Sequence, residues 1–420
     1  MRLVIINHTF EDERFFKRWR ILANTHPDLD VYLFAPISYT YGAQRSLTYG
    51  FETIKNGHEI EDGNFHIRLI DYIPQKHRSW KSKLLPDALR DIKPDIIYFI
   101  GVHTYETIQD IILFRNRELK NSKIIVFSMR GVVLSNRIKK GYNPIKQTLR
   151  VGYYLYNEYK LARFNKNIDA VFCHYPDAVS QFRKEGYKGP IYMQTQVGVD
   201  CDIFHPSAED RKLIRNKYGI DDSTYLFGSA TRFNYGKGLD EILQALPADG
   251  NWKYLMMGSG REDEVKRILE GIDKRGFKDR IILTGFINTW EEMAQHWNAL
   301  DCAVHFPLTT PEWEETFSLA LVQAMATGLP VIGSSSGSVP YQIGPEGIII
   351  DEHDIDALGK QLKYMCDHPA YGVEIGRKMI DRAVRCFDIR HLDDIFYDTL
   401  SDIMQNTYDE QKADMTKYKV

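Results

Sequence analysis

Short apolar runs rich in β-branched residues alternate with longer amphipathic stretches along almost the whole chain. The runs Ile96–Ile100 and Lys123–Phe127 are apolar without alternation, which is typical of strands buried on both faces of a sheet. Strands and helices that alternate in this way form βαβ units, which build a parallel sheet with helices on both faces. The pattern therefore predicts an α/β protein of the doubly wound type.

The alternation occurs in two series, separated by an irregular segment at residues 200–206. The predicted strands are Leu3–Asn7, Asp30–Phe34, His66–Ile70, Ile96–Ile100, Lys123–Phe127, Asp169–Cys173, Ile191–Gln194, Tyr225–Ala230, Tyr254–Met257, Ile281–Thr284, Ala303–Phe306, Pro330–Ile332 and Gly347–Ile350. Because 420 residues are too many for one ordinary core, we predict two Rossmann-like domains that face each other across a cleft. Their expected bounds are 1–200 and 201–385, and a helix in 386–420 is expected to cross back to the first domain.

The cysteines and the apolar content predict a cytoplasmic location. The five cysteines are scattered without C-x-x-C spacing, which favours thiols in a reducing compartment. The N-terminal residues lead directly into a strand pattern that does not resemble a signal peptide. No window approaches the roughly 18 uninterrupted apolar residues of a membrane span.

A net charge of −3 conceals a basic region in the first half of the chain. Residues 76–166 contain 19 Lys and Arg against 7 Asp and Glu. In Arg137–Lys166 the basic residues alternate with tyrosines, whose polar tips suit the boundary of lipid headgroups. We predict reversible docking on an anionic membrane surface at the inner face of the cell membrane. A soluble anionic glycan explains the charge equally well, and no nucleic-acid partner is expected.

Two loops carry cations and glycines where ligands usually bind, beyond the carboxyl ends of parallel strands. Arg232 and Lys237 follow the strand Tyr225–Ala230, and two fixed cations suit the charge of a diphosphate without a metal ion. Gly258 and Gly260 follow the next strand, where the missing side chains permit close approach of a nucleotide. Both loops are also compatible with ordinary surface turns.

Glu315 precedes a predicted helix, Phe317–Ala326, whose free N–H groups form a natural seat for a diphosphate. Its carboxylate is expected either to accept hydrogen bonds from sugar hydroxyls or to cap the helix. Gln323 lies about two helical turns further on, so both side chains are expected on the same side.

Taken together and in this order, four segments between Gly198 and Asp351 resemble the retaining GT-B glycosyltransferases of the family 4 type, the glycosyl transferases group 1. Before Gly198 the resemblance is only architectural. The segments are Arg232 with Lys237-Gly238, Gly258-Ser259-Gly260, Gly285-Phe286-Ile287, and Glu315-Thr316-Phe317-Ser318 followed by Ala324–Val331.

The resemblance implies that the first domain binds the acceptor and the second binds the nucleotide sugar. It implies that Arg232 and Lys237 hold the donor diphosphate and that Glu315 contacts the sugar hydroxyls. Gln323 stands where the family usually has a Glu that binds the ribose. The remaining donor-binding positions that the resemblance implies are Gly258, Gly260, Phe286, Ile287, Phe317, Ser318 and Leu319.

Two residues of the first domain are candidates for the acceptor side. Family members often carry a His after the strand that corresponds to Lys123–Phe127, and this chain has Arg130 there. His103 follows the strand Ile96–Ile100 and is expected at the same edge of the sheet.

The predicted reaction is transfer of a hexose-type sugar to a hydroxyl of a glycan or lipid-linked acceptor, with retention of the anomeric configuration. The donor is expected to be a UDP-sugar ahead of a GDP-sugar, with no cofactor and no metal. The alternatives are a nucleotide-sugar epimerase or hydrolase of the same fold, and a catalytically silent binding subunit, which the substitution at Gln323 permits.

Overall fold

The structure, a computed structural model, describes residues 1–7, 13–40, 53–55, 59–75, 80–101, 106–128, 144–310, 313–410 and 412–417. The chain divides into two compact units, Met1–Val197 with Arg390–Val420 and Gly198–Ile389. Each unit has its own principal sheet and its own hydrophobic core.

The first unit is built on an eight-stranded sheet. The described strands of this unit are β1 (Arg2–Ile6), β2 (Asp30–Pro36), β3 (Ser38–Thr40), β4 (Thr53–Lys55), β5 (Ile60–Asp62), β6 (Phe65–Ile70), β7 (Ile73–Pro74), β8 (Trp80–Lys81), β9 (Ile96–Ile100), β10 (Lys123–Ser128), β11 (Ala170–Cys173) and β12 (Ile191–Met193). Across the sheet their order is β12-β11-β10-β9-β1-β2-β6-β5, and only the edge strand β5 pairs antiparallel. The short strands β3 with β4 and β7 with β8 form two separate hairpin-like pairs.

Helices connect these strands, as the alternation predicts. They are α1 (Glu13–Thr25), α2 (Leu85–Ile92), α3 (Glu106–Glu118), α4 (Pro144–Asn165) and α5 (Pro176–Lys184). The amphipathic pattern of Trp80–Asp91 predicts a helix that begins at Trp80, but α2 begins five residues later, at Leu85. Asp71 accepts hydrogen bonds from the N–H groups of Lys83 and Leu84, and Ser82 accepts that of Leu85, so the helix is capped only from that point.

The second unit has a six-stranded parallel sheet. Its strands are β13 (Tyr225–Ala230), β14 (Trp252–Met257), β15 (Ile281–Gly285), β16 (Cys302–His305), β17 (Val331–Ser334) and β18 (Ile348–Ile350). The order β15-β14-β13-β16-β17-β18 is the 3-2-1-4-5-6 order of a Rossmann sheet. The helices of the unit are α6 (Ala208–Lys217), α7 (Leu239–Ala245), α8 (Glu262–Lys274), α9 (Trp290–Asn298), α10 (Leu319–Ala326), α11 (Val339–Ile343), α12 (Ile355–Asp367) and α13 (Pro369–Phe387).

The strand order of this sheet reverses between β13 and β16. The register of these two strands pairs Phe227 with Cys302 and Gly228 with Ala303. Such a switch point leaves a crevice at the carboxyl edge of the sheet, where ligands bind in open α/β folds. The predicted cations and Glu315 lie in the loops after these two strands.

The last helix, α14 (Ile389–Gln405), packs into the core of the first unit. Phe396 and Leu400 lie in that core, and the Nε of Arg18 donates a 2.6 Å hydrogen bond to the buried Asp393 carboxylate. No helix among the described residues has the length and apolar character needed to span a membrane.

Candidate active site

The loop after β13 carries both predicted cations. Arg232 is exposed. Residues Tyr235–Lys237 form a single 3₁₀ turn that ends at Gly238, whose φ is +67°. A Cβ at Gly238 would lie 1.7 Å from the carbonyl oxygen of Phe306, so only glycine permits this approach. The contact fixes Lys237 beside the end of β16.

Lys237 and Glu315 form a buried ion pair at the switch point. The Lys237 Nζ lies 2.6 Å from the Glu315 Oε2, and the side chains are 13% and 8% exposed. The same ammonium lies 4.3 Å from the ring centroid of Trp313, a distance that suits a cation–π interaction. An ammonium has three N–H donors. The hydrogen bond to Glu315 uses one of them, so two remain for a ligand.

The Glu315 carboxylate is held in its ionised form. Burial by itself would raise the pKa of Glu315, but the nearby His305 and Lys237 outweigh burial and lower this pKa to about 2. The Nε2 of His305, the last residue of β16, lies 3.5 Å from the Glu315 Oε2. At neutral pH the carboxylate is therefore only an acceptor, which suits hydroxyl groups as partners.

The N-terminus of α10 is fixed by two side chains. The Ser318 hydroxyl accepts a hydrogen bond from the Leu321 N–H, which caps the helix, and the helix begins at Leu319 rather than at the predicted Phe317. The Gln342 amide accepts from the Ser318 N–H at 2.8 Å and donates to its carbonyl at 3.1 Å.

Because the Ser318 N–H is already used, the anion-binding capacity of this helix end lies one residue further on. Among the described residues, the N–H groups of Leu319 and Ala320 have no hydrogen-bond partner. They are the two donors that an anion at this helix terminus would meet. Phe317 contributes packing here, since its ring lies 6.0 Å from that of Phe387.

Gln323 lies one turn along α10 and is 5% exposed. Its side chain has no hydrogen-bond partner in the described part of the chain. Its amide nitrogen and oxygen are not fully enclosed by protein atoms, so a ligand can reach them. A ligand that supplies hydroxyl groups would satisfy this amide.

The two remaining loops of the predicted site pack against each other. Gly258 has φ +128°, and a Cβ there would lie 2.0 Å from the carbonyl oxygen of Thr231. Its N–H donates to the Gly285 carbonyl, and Gly260 forms a bridge with Phe233. These glycines therefore have a packing role besides the nucleotide role predicted for them. Phe286 is exposed at the end of β15.

Ile287, by contrast, is buried, so only its backbone is available to a nucleotide base. The acceptor-side candidates His103 and Arg130 lie outside the described residues.

Sequence reasoning did not single out His305, Trp313 or Gln342. His305 had a detectable signal, because it is a polar residue at the carboxyl end of an otherwise apolar strand. Trp313 is a lone aromatic residue in an acidic loop, a weaker signal. Gln342 had none, because its bond to Ser318 spans 24 residues and depends on how α11 packs.

Part of this chain is similar in sequence to known proteins. Residues 210–384 match the family of glycosyl transferases group 1. The chain is 27% identical over 213 residues to a GDP-mannose-dependent phosphatidylinositol monomannoside mannosyltransferase of Corynebacterium glutamicum, covering 47% of this chain and 54% of that protein. It is 28% identical over 187 residues to the lipopolysaccharide core mannosyltransferase LpsB of Rhizobium meliloti, covering 41% and 50%. The chain spans about half the length of these curated relatives.

Solved structures match the chain over nearly its whole length. Sucrose-phosphate synthase from Thermosynechococcus elongatus superimposes with a TM-score of 0.71 at 15% identity, covering 97% of this chain and all of that one. Anabaena HepE in complex with UDP and glucose gives 0.67 at 15% identity, with 96% and 100% coverage. At such identity the likeness concerns the fold, and the predicted GT-B fold class is confirmed.

Proposed function

We propose that the chain is a glycosyltransferase that moves a hexose-type sugar from a UDP- or GDP-sugar to a hydroxyl group of a glycan or lipid-linked acceptor. The reaction proceeds with retention of the anomeric configuration and without a metal ion. The observation that carries the proposal is the buried Lys237–Glu315 pair at the switch point of the unit that matches the glycosyl transferases group 1.

The donor diphosphate meets positive charge from three directions in this proposal. Lys237 offers its two unused donors, Arg232 is an exposed cation in the same loop, and α10 presents the N–H groups of Leu319 and Ala320. Donors fixed before the reaction stabilise the charge that grows on a leaving diphosphate, because they need no reorganisation. Two cations and a helix end supply the role that a divalent metal plays elsewhere.

The sugar and the nucleoside meet acceptors and backbone. The ionised Glu315 accepts hydrogen bonds from sugar hydroxyls, and the buried Gln323 amide satisfies its donors and acceptor on the ribose. The base lies against the segment that contains Phe286 and Ile287. The names of the two curated relatives, both mannosyltransferases, support a hexose as the transferred sugar.

A donor panel tests the proposal on the purified chain. UDP-, GDP- and ADP-sugars are scored by the shift in thermal midpoint, and slow hydrolysis of the best donor is followed with and without EDTA. We expect a UDP- or GDP-sugar to raise the midpoint and to be hydrolysed equally in EDTA. If no donor shifts the midpoint or is turned over, the proposed function is wrong.

Two further outcomes of the same assay separate the parts of the proposal. Activity that is lost in EDTA and restored by Mg²⁺ or Mn²⁺ overturns metal independence alone. Proton NMR of the first-formed product reports its anomeric configuration, and an inverted product overturns retention alone.

A further inference from the structure

Helix α4 (Pro144–Asn165) turns an apolar stripe toward solvent. Ile145 and Leu149 are 71% and 70% exposed, and Tyr153, Tyr156 and Tyr159 are exposed as well. Spacings of four, four, three and three residues place these side chains on one face of a helix. On the opposite face, Gln147 and Val151 are only half-exposed. Leu155, which lies beside this stripe, is 53% exposed as well, so the described part of the helix presents several apolar side chains to solvent.

The sequence of α4 is also basic. Its 22 residues contain four Lys and Arg against one acidic residue, and the surrounding segment 137–166 contains eight against the same one. Exposed apolar patches on a folded protein mark interaction sites, and the local charge selects the partner. The partner that suits α4 therefore presents both apolar and anionic groups.

We propose that α4 lies flat on the surface of an anionic lipid bilayer, with Leu149, Tyr153, Tyr156 and Tyr159 among the acyl chains and headgroups. This places the chain peripherally on the inner face of the cell membrane. Tyrosines have an apolar body and a polar tip that suits this boundary, and lysines add electrostatic attraction to anionic lipid. At 1.5 Å per residue the helix is about 33 Å long, so it covers many lipids.

The same observations disfavour a second copy of the chain on this face. A symmetric dimer through α4 would bring two helices, each with an excess of three positive charges, against each other. Like charges across an interface oppose association. An anionic surface removes this repulsion.

The test is co-sedimentation of the full chain with vesicles of phosphatidylcholine alone and with 30% phosphatidylglycerol, in about 50 mM and 500 mM NaCl. We expect binding to the anionic vesicles at low salt and at least a fivefold smaller bound fraction at high salt, because salt screens the basic residues. Equal binding to both vesicle types, or to neither, overturns the proposal.

A matched pair of variants locates the binding surface. The double variant Leu149→Glu, Tyr159→Glu places two negative charges in the apolar stripe. We expect it to bind anionic vesicles with at least a tenfold weaker affinity. Leu113→Glu is the control, since Leu113 is 67% exposed on α3 (Glu106–Glu118) of the same unit but outside the stripe. Unchanged binding by the double variant, or equal losses in both, overturns the assignment to α4.

Light scattering of the protein without vesicles tests whether a second copy of the chain binds through α4. A dimer that the double variant dissociates would make α4 an interface between copies, and would overturn the lipid assignment. Thermal midpoints within about 2 °C of wild type verify that both variants fold. Vesicle binding is measured without donor or acceptor, so its failure is distinguishable from failure of the proposed transfer reaction.

Discussion

The two units are built on sheets of the same kind but hold their charged groups in different ways. In the first unit, the buried ion pair of Arg18 with Asp393 joins α1 to α14 beside the core residue Phe396. In the second, the ion pair of Lys237 with Glu315 lies at the carboxyl edge of the sheet, where the strand order reverses. The first pair joins two elements of one core, whereas the second lies where we propose that the donor binds.

The difference shows that a shared topology does not by itself locate chemistry. Both sheets reverse their order, between β1 and β9 in the first unit and between β13 and β16 in the second. In the second unit the buried ion pair lies at the switch point, and its Glu315 stands four residues before the helix N-terminus at Leu319. Function is decided by such groups and not by the fold that carries them. Substitutions in the two units can test this contrast.

The largest effect is expected from the cations of the second unit. Lys237→Ala or Arg232→Ala should lower donor turnover about 100-fold, because one fixed electrostatic donor is worth about 3 kcal/mol. Lys123→Ala is the matched control, since Lys123 forms a partly buried pair with Asp169 in the first unit. Steady-state donor turnover measures all three variants. Near-normal turnover in both Lys237→Ala and Arg232→Ala would contradict the proposal that these cations of the second unit hold the donor diphosphate.

The acid stability of the chain should depend on Glu315 more than on a surface carboxylate with a similar pKa. The pKa of Glu315 is lowered to about 2 in the fold, below the ordinary value of 4.5. Its stabilising contribution is therefore complete above pH 4.5 and is lost as the pH falls toward 2. The free-energy gap between wild type and Glu315→Gln should be about 3 kcal/mol at pH 7 and should close on acidification.

The comparator for Glu315 lies on the first unit. The pKa of Glu118 is also lowered to about 2, by the exposed Arg90 and Arg117, but solvent and salt screen these pairs. Urea unfolding of Glu315→Gln, Glu118→Gln and wild type at pH 7, 5 and 3, in 0.5 M NaCl, gives the free energy of unfolding of each. A pH-independent gap for Glu315→Gln, or an equal gap for Glu118→Gln, contradicts the expectation.

A smaller effect is expected from two buried glutamines. Gln323→Leu should weaken donor binding about tenfold, because the ribose hydroxyls lose their partner, whereas Gln323→Glu should retain binding. Gln194 in the first unit is equally buried but donates to Thr399 and to the Lys412 carbonyl. Gln194→Leu should therefore lower the thermal midpoint without changing donor affinity. Calorimetric titration measures the donor affinity of the Gln323 and Gln194 variants. Unchanged affinity in Gln323→Leu would show that the ribose does not bind at α10.

Much of the fold follows from local pattern, since strands such as Ile96–Ile100 and Tyr225–Ala230 match their predicted bounds. Local pattern failed for α13 (Pro369–Phe387), which was not predicted. Pro369 and two glycines read as breakers, yet proline is accepted in the first helical turn. Gly376 of this helix packs closely on the backbone of Gly328, a contact that only the assembled unit reveals.

The sequence by itself determined the alternation of strands and helices, the four motif segments and the identity of the charged residues in them. Only the tertiary structure decided which of those residues meet. Lys237 and Glu315 are 78 residues apart, and they pair because β13 and β16 are neighbours in the sheet although they are not consecutive in the chain. Tertiary packing also brings Gln342 to Ser318, 24 residues away, so that the Gln342 amide accepts a hydrogen bond from the Ser318 N–H. Periodicity reports the face on which a side chain lies, whereas partners across a switch point depend on strand order and packing.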